Sequence, residues 1–361
     1  MPRARENRVH YVRVESPGDV PPAAERTIDV ALLDMNHGWP NLGHDCLVLD
    51  VLAASDELAR IERQAGIRVR VLSFDVRRSG IVPESPGGRF SLYVGTGGPG
   101  QIDPHHNDGA MPGSQGIHED PAWEEPLFQL FDAVLADETA ALLAVCHTFG
   151  VLCRWAGIAQ PTLRGPEKGG KSTGVLENLL TSEARLHPWF GRLAGEPSSE
   201  GRLRILDNRL FDLIPGPRPF PSGTIPIGYE ALGVGGPRGD ALTMVEFARD
   251  RGGAMPRVFA VNHHPEILNR AQQSLILEEK VGRGEVTREW ADERREILTR
   301  SYPDEDSDRE LEITSELTLL GPLRFHLYRQ LRLRAEALGL PLDLHEDRVA
   351  AEPRVAASRP A

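Results

Sequence analysis

The chain has 361 residues, a net charge of −12, and 40% hydrophobic and 26% charged residues. That composition suits a soluble globular protein with ample core and argues against a nucleic-acid polyanion as partner. No stretch approaches the roughly 18 uninterrupted apolar residues of a membrane span. The three cysteines, Cys46, Cys146 and Cys153, show no CxxC spacing, which fits a reducing cytoplasm and gives neither a disulfide framework nor a thiolate zinc site.

Residues 1–27 are rich in Pro, Arg and Glu, carry no apolar h-region and read as a flexible leader rather than a secretory signal. "IDVALLDMN" (28–36) predicts a buried strand, and "GWPNLG" turns the chain into a helix beginning "HDCLVLDVL". "IRVRVLSFDV" (67–76) predicts a second strand, and "RFSLYVGTGGPG" (89–100) a third that runs into a glycine-rich loop. Residues 101–122 form a long polar loop, of a length that is usually functional or disordered. Residues 123–138 are amphipathic at helical period, and 139–145 predict a fourth strand. Strands alternating with helices imply βαβ units and a mostly parallel sheet covered on both faces. After a Pro/Gly-rich region (213–239) come a strand in "PRVFAVNHHPE" (256–266) and charged helical segments. Residues 341–361 read as a disordered tail.

Three motifs compete for the chemistry. "GTGGPG" (95–100) satisfies G-x-G-x-x-G after a strand, but the loop that follows opens no helix to face a pyrophosphate. "GPEKGGKS" (165–172) matches G-x-x-x-x-G-K-[ST] letter for letter, so Lys171 and Ser172 would meet phosphate and Mg²⁺ in a P-loop. The strand before it is weak and interrupted by Pro161, so this nucleotide-binding reading stands as an alternative. The third motif is a constellation: Cys146 where a buried strand turns into a helix, and His264 with Glu266 at the end of another strand. A cysteine nucleophile needs a base, and the base needs a carboxylate to hold its tautomer. Residues two apart on an extended segment share a face, which suits the His264–Glu266 pair. His263 would point away, Cys153 is expected to pack, and His105 and His106 read as solvated loop residues rather than metal ligands.

"LYVGTGGPG", "LLAVCHTFGVLCRWAG" and "VFAVNHHPE" together resemble, in the same order, the oxyanion strand, nucleophile elbow and His-x-Glu element of the class I glutamine amidotransferase-like superfamily. The likeness covers about residues 28–270, with a helical extension over 271–340. It implies an α/β, flavodoxin-like three-layer αβα sandwich, a Cys146–His264–Glu266 triad, and an oxyanion hole from the backbone amides of Gly98 and His147. The family elbow is usually G-x-C-x-G, and here Ala144 and Thr148 replace both glycines. Gly150 and Asn262 stand at positions where the family has glutamines. Thr148 and Asn262 are therefore the expected substrate-binding variants.

The implied activity is cleavage of a carboxamide, glutamine to glutamate plus ammonia, through a thioester and with no cofactor. The residues after 270 leave no room for a synthetase, so the nitrogen acceptor, or a separate synthetase, is expected on another chain. Homoserine-acyltransferase-like transfer on the same triad is the second enzymatic reading.

Overall fold

The computed structural model describes residues 10–61, 66–191, 201–267, 270–301 and 305–340. Its frame is one mixed sheet, with β1 (Tyr11–Val14), β2 (Thr27–Asp34), β3 (Arg68–Asp75), β4 (Phe90–Gly95), β5 (Ala141–Val145) and β12 (Pro256–Val261) running parallel in the order β1-β3-β2-β4-β5-β12. These are the strands the apolar runs predict, with one addition. β1 falls inside the expected leader. Its Val14 is fully buried and its backbone pairs with β3, so residues 10–27 belong to the folded body. Residues 1–9 and the expected tail at 341–361 lie outside the described residues.

Beyond β12 the sheet continues antiparallel through β11 (Arg238–Arg249), β10 (Ile225–Ala231), β7 (Ser172–Leu180) and β8 (Arg202–Arg209). β6 (Ala159–Leu163) pairs with β9 (Phe211–Pro215), which joins β11. The expectation of parallel strands thus describes one half of the sheet. In the other half β8 alternates in part between buried and more exposed positions, as a strand with one wet face does, whereas β11 is buried throughout 241–247, and these strands hide among prolines and glycines in the sequence.

Helices cover both faces, giving the three-layer sandwich expected from the resemblance. On one face, α1 (Leu42–Ile61) and the carboxyl-terminal α9 (Gly321–Ala337) bury Leu47, Val51, Leu323 and Leu327 against the strands. On the other, α3 (Glu124–Ala136) and α4 (His147–Trp155) bury Leu127, Phe131, Phe149 and Leu152. Every residue of β5 and β12 is buried, which explains their uninterrupted apolar sequence. Between β3 and β4 lies a short helix, α2 (Val76–Ser79), and after β7 another, α5 (Ser182–Leu186). The extension is helical as expected: α6 (Arg270–Gly282), α7 (Arg288–Ser301), α8 (Glu305–Ser315) and a π-helical turn (Glu316–Leu320) leading into α9. Among the described residues no helix is long and apolar enough to cross a membrane.

Candidate active site

Strand register brings the three resembling segments together. Val145 pairs with Val261 and Ala144 with both Ala260 and Gly95. Cys146, Asn262 and Thr96 therefore leave the sheet side by side at its carboxyl edge, where open α/β sheets gather their sites. Cys146 N donates to Val261 O (2.7 Å), tying the elbow to the strand that delivers His264.

Cys146 sits at φ 49° and ψ −98°, a left-handed backbone that a non-glycine residue adopts only under constraint. Helix α4 starts at the next residue, and Gly150 N closes its first turn on Cys146 O (3.1 Å). This is the strained strand-turn-helix geometry that presents a nucleophile at the head of a sheet.

His264 Nδ1 and Glu266 Oε1 are 2.7 Å apart and buried. The other ring nitrogen, Nε2, is buried without a well-formed hydrogen bond among the described residues, and the Cys146 thiol lies within interaction range of the ring. Burial alone would lower the His264 pKa. The Glu266 carboxylate and Cys146 outweigh it, and the imidazole is held well above its ordinary value. Asp50 on α1 is held well above the ordinary carboxylate value by burial and by the charge of Glu266. His263 points the other way, its Nε2 3.3 Å from Thr318 Oγ1, and burial pushes its pKa down to about 3. It is a neutral core residue, as the alternation of the segment predicts.

Gly98 and His147 both line the cavity at Cys146. Between Gly98 and Thr96 sits Gly97, a letter of the G-x-G-x-x-G match with a different role here. A Cβ on Gly97 would lie 3.1 Å from His264 Cε1 and 3.3 Å from Cys146 Cβ, so any side chain there would press the imidazole and the cysteine by a few tenths of an ångström. The loop is clamped from behind by Arg77, fully buried, which donates to Met35 O (2.8 Å) and Pro99 O (2.7 Å) and pairs with Glu119. Glu119 also accepts from Asn107 Nδ2 (2.7 Å) and Trp123 Nε1 (2.9 Å). The long polar stretch 101–122 is thus a folded cover whose buried ion pair would be expensive to break, about 3–5 kcal/mol for removing one partner. The His147 ring is buried, hydrogen-bonds the Gly98 backbone and is held far below its usual pKa by that burial.

Two expected roles need correction. Thr148 does not face the cavity: its hydroxyl donates to Thr96 O (2.7 Å), and its methyl fills the space beside Gly95. A Cβ on Gly95 would overlap Thr148 Cγ2, so the side chain gained at the elbow is accommodated by a glycine on the neighbouring strand. Asn262, by contrast, lines the cavity and has a buried Nδ2 with no hydrogen-bond partner among the described residues.

The second correction is to the P-loop. Ser172 begins strand β7 rather than a helix, and its hydroxyl donates to Asp207 Oδ2 (2.6 Å). The carbonyls of Lys168 and Gly170 turn inward onto the Arg164 guanidinium, both at 3.0 Å. A phosphate cradle presents inward N–H groups, so this loop has the opposite polarity. Lys171 instead lines the same cavity as Cys146.

Asp103, His105 and Glu124 converge closely enough to hold a cation. The Arg154 guanidinium already bridges the two carboxylates, and His105 is exposed.

The cavity measures about 420 Å³, and the helical extension forms part of its wall: Trp290, Arg294, Ile297 and Leu298 of α7 line it, as does Trp39 in the turn before α1. The apolar stripe of α7 is legible in the sequence, but what it covers is not.

No family model and no curated protein matches this chain. Among solved structures it is similar to a glutamine amidotransferase from Thermotoga maritima, at 15% identity over 84% of this chain and 98% of that one, with a TM-score of 0.47. It is also similar to the glutaminase domain of Trypanosoma brucei CTPS with bound acivicin, at 9% identity over 67% of this chain and 87% of that one, with a TM-score of 0.39.

Proposed function

We propose that the protein is a cysteine-nucleophile enzyme that cleaves a carboxamide in the manner of a glutamine amidotransferase. The observation that carries this reading is His264, hydrogen-bonded to the buried Glu266 carboxylate on one ring nitrogen and facing a strained-elbow cysteine with the rest of the ring. In the proposed reaction the Cys146 sulfur attacks the amide carbon and forms a thioester. His264 gives its proton to the departing ammonia and then takes one from the water that hydrolyses the thioester. Glu266 keeps the imidazole oriented and charged while it waits. The amides of Gly98 and His147 are the proposed donors to the oxyanion, and Asn262, with its unpartnered amide, is the proposed contact to the substrate's amino-acid end. With glutamine as substrate, the ammonia passes to an acceptor on another chain.

The test is covalent. Incubation with 6-diazo-5-oxo-L-norleucine followed by peptide mass spectrometry should give one adduct per chain on Cys146 and none on the buried Cys46 and Cys153. Labelling confined to other residues, or unaffected by His264→Ala, would overturn the triad. Acyl transfer to a hydroxyl on the same triad is the second reading, favoured by a cavity with two indoles in its wall; a Cys146 acyl-enzyme captured from a thioester donor, with no adduct from the glutamine mimic, would select it.

A further inference from the structure

The cavity above Cys146 carries a positive charge that the proposed triad does not use. Lys171 comes from the 165–172 loop and Arg294 from α7, so two segments far apart in sequence bring cations to one wall. Burial lowers the affinity of Lys171 for a proton, the charge of Cys146 opposes that, and the charge of Arg294 adds to it, so all three groups lie within electrostatic reach of one another. Lys171 makes no ion pair or hydrogen bond within contact distance among the described residues. Asp207, the acid that acts on it, spends Oδ2 on the Ser172 hydroxyl (2.6 Å) and the Arg209 guanidinium (3.4 Å), while its buried Oδ1 has no hydrogen-bond partner among the described residues and offsets part of the Lys171 charge. Arg294 lies over the Trp290 ring, 4.9 Å from its centroid, and is partly neutralised by Glu293 at 3.1 Å. One cation without an ion pair among the described residues and a second shared with Glu293, above a nucleophile and with indole beside them, make a receptor for an anion attached to a flat or apolar body. A cavity of about 420 Å³ lies within the roughly 300–1,000 Å³ that drug-sized ligands fill.

We propose that Lys171 and Arg294 bind an oxyanion, carboxylate or phosphate, at the end of the amide or acyl donor remote from the bond that Cys146 attacks, so that α7 and the 165–172 loop set the substrate specificity of the site. This rests on Cys146 being the nucleophile. The letters that match a phosphate-binding motif thus supply an anion-binding lysine to a different pocket.

The experiment uses two alkylating reagents of the same shape and opposite demand, iodoacetate and iodoacetamide, on the full chain. Rates of carboxymethylation and carbamidomethylation at Cys146 are followed by peptide mass spectrometry. The iodoacetate-to-iodoacetamide rate ratio should fall about fivefold in Lys171→Met, less in Arg294→Met because Glu293 already offsets that charge, and not at all in Arg251→Met. Arg251 lies at the opposite end of β12, so its variant controls for net charge. Raising the salt from 20 to 500 mM should erase most of the difference between Lys171→Met and the unaltered chain. A ratio unchanged in both Lys171→Met and Arg294→Met, with Cys146 reactive, overturns the anion site while leaving the nucleophile in place. A Cys146 inert to both reagents overturns the reading of the site and the inference with it. Protection of Cys146 by succinate or by inorganic phosphate, compared at equal ionic strength, tells carboxylate from phosphate.

Discussion

Two turns at the carboxyl edge of the sheet meet the same cavity and are built in opposite ways. At 144–150 the chain leaves β5, strains one residue into a left-handed conformation and opens a helix. At 165–172 it leaves β6, folds its carbonyls around Arg164 and opens a strand. The first turn departs from its sequence pattern at two positions and keeps the geometry. The second matches its pattern at every letter and lacks the geometry. The lesson is that a motif's chemistry resides in the secondary structure it joins. A phosphate cradle works through N–H groups aimed by a helix start, and a nucleophile elbow through the strain between a strand and a helix. Glycines at the prescribed letters are one means to those geometries. Here the elbow uses Gly95 on a neighbouring strand in place of a glycine of its own.

The largest expected effect lies on the elbow side. His264→Ala should slow modification of Cys146 by the glutamine mimic roughly 10³-fold, and an unchanged rate would remove the imidazole from the mechanism. Glu266→Gln should leave a neutral partner beside a buried imidazole. Because the folded pKa of His264 is raised, the stability this pair contributes is fully present below the ordinary imidazole pKa and is lost as pH rises through the folded value. The unaltered chain should therefore exceed Glu266→Gln by on the order of 2 kcal/mol at pH 6, with the gap closing as the solution becomes alkaline. Denaturant titrations across pH read this directly. A gap that widens with pH would reverse the assignment of charge.

A smaller effect probes how the elbow makes room. Gly95→Ala should cost about 1–3 kcal/mol through overlap with Thr148. Combined with Thr148→Gly, the pair should cost clearly less than the sum of the single changes. Strict additivity would mean that the two positions are independent. On the 165–172 side, Ser172→Ala should cost only about 1 kcal/mol, the loss of one hydrogen bond to Asp207. Calorimetry with ATP and Mg²⁺ should show no heat that this variant abolishes. Magnesium-dependent nucleotide binding lost with the Ser172 hydroxyl would restore the phosphate cradle and break the comparison.

Much of the frame is legible in the sequence because buried parallel strands are written as unbroken apolar runs. β2, β3, β4, β5 and β12 are all visible this way, and helical periodicity marks the elements between them. The elbow cysteine and the His-x-Glu pair are legible too, because each is a local signal of two or three residues at the end of such a run. The antiparallel half is not, since its strands carry polar and charged residues even where they are buried, as in β11, and its turns are crowded with proline and glycine. Nor is the leader's contribution, where four residues gain their place only by pairing with β3.

The sequence by itself determined the alternation of strands and helices, the position of the turn at Cys146 and the pairing of His264 with Glu266, all of which depend on residues close together in the chain. Only the tertiary structure decided which residues surround the thiol. Gly97 against the imidazole, Thr148 against Gly95, the Arg77–Glu119 clamp and the meeting of Lys171 with α7 are contacts between distant segments. They follow from strand register and from the stacking of helices on the sheet, and no periodicity along the chain records them.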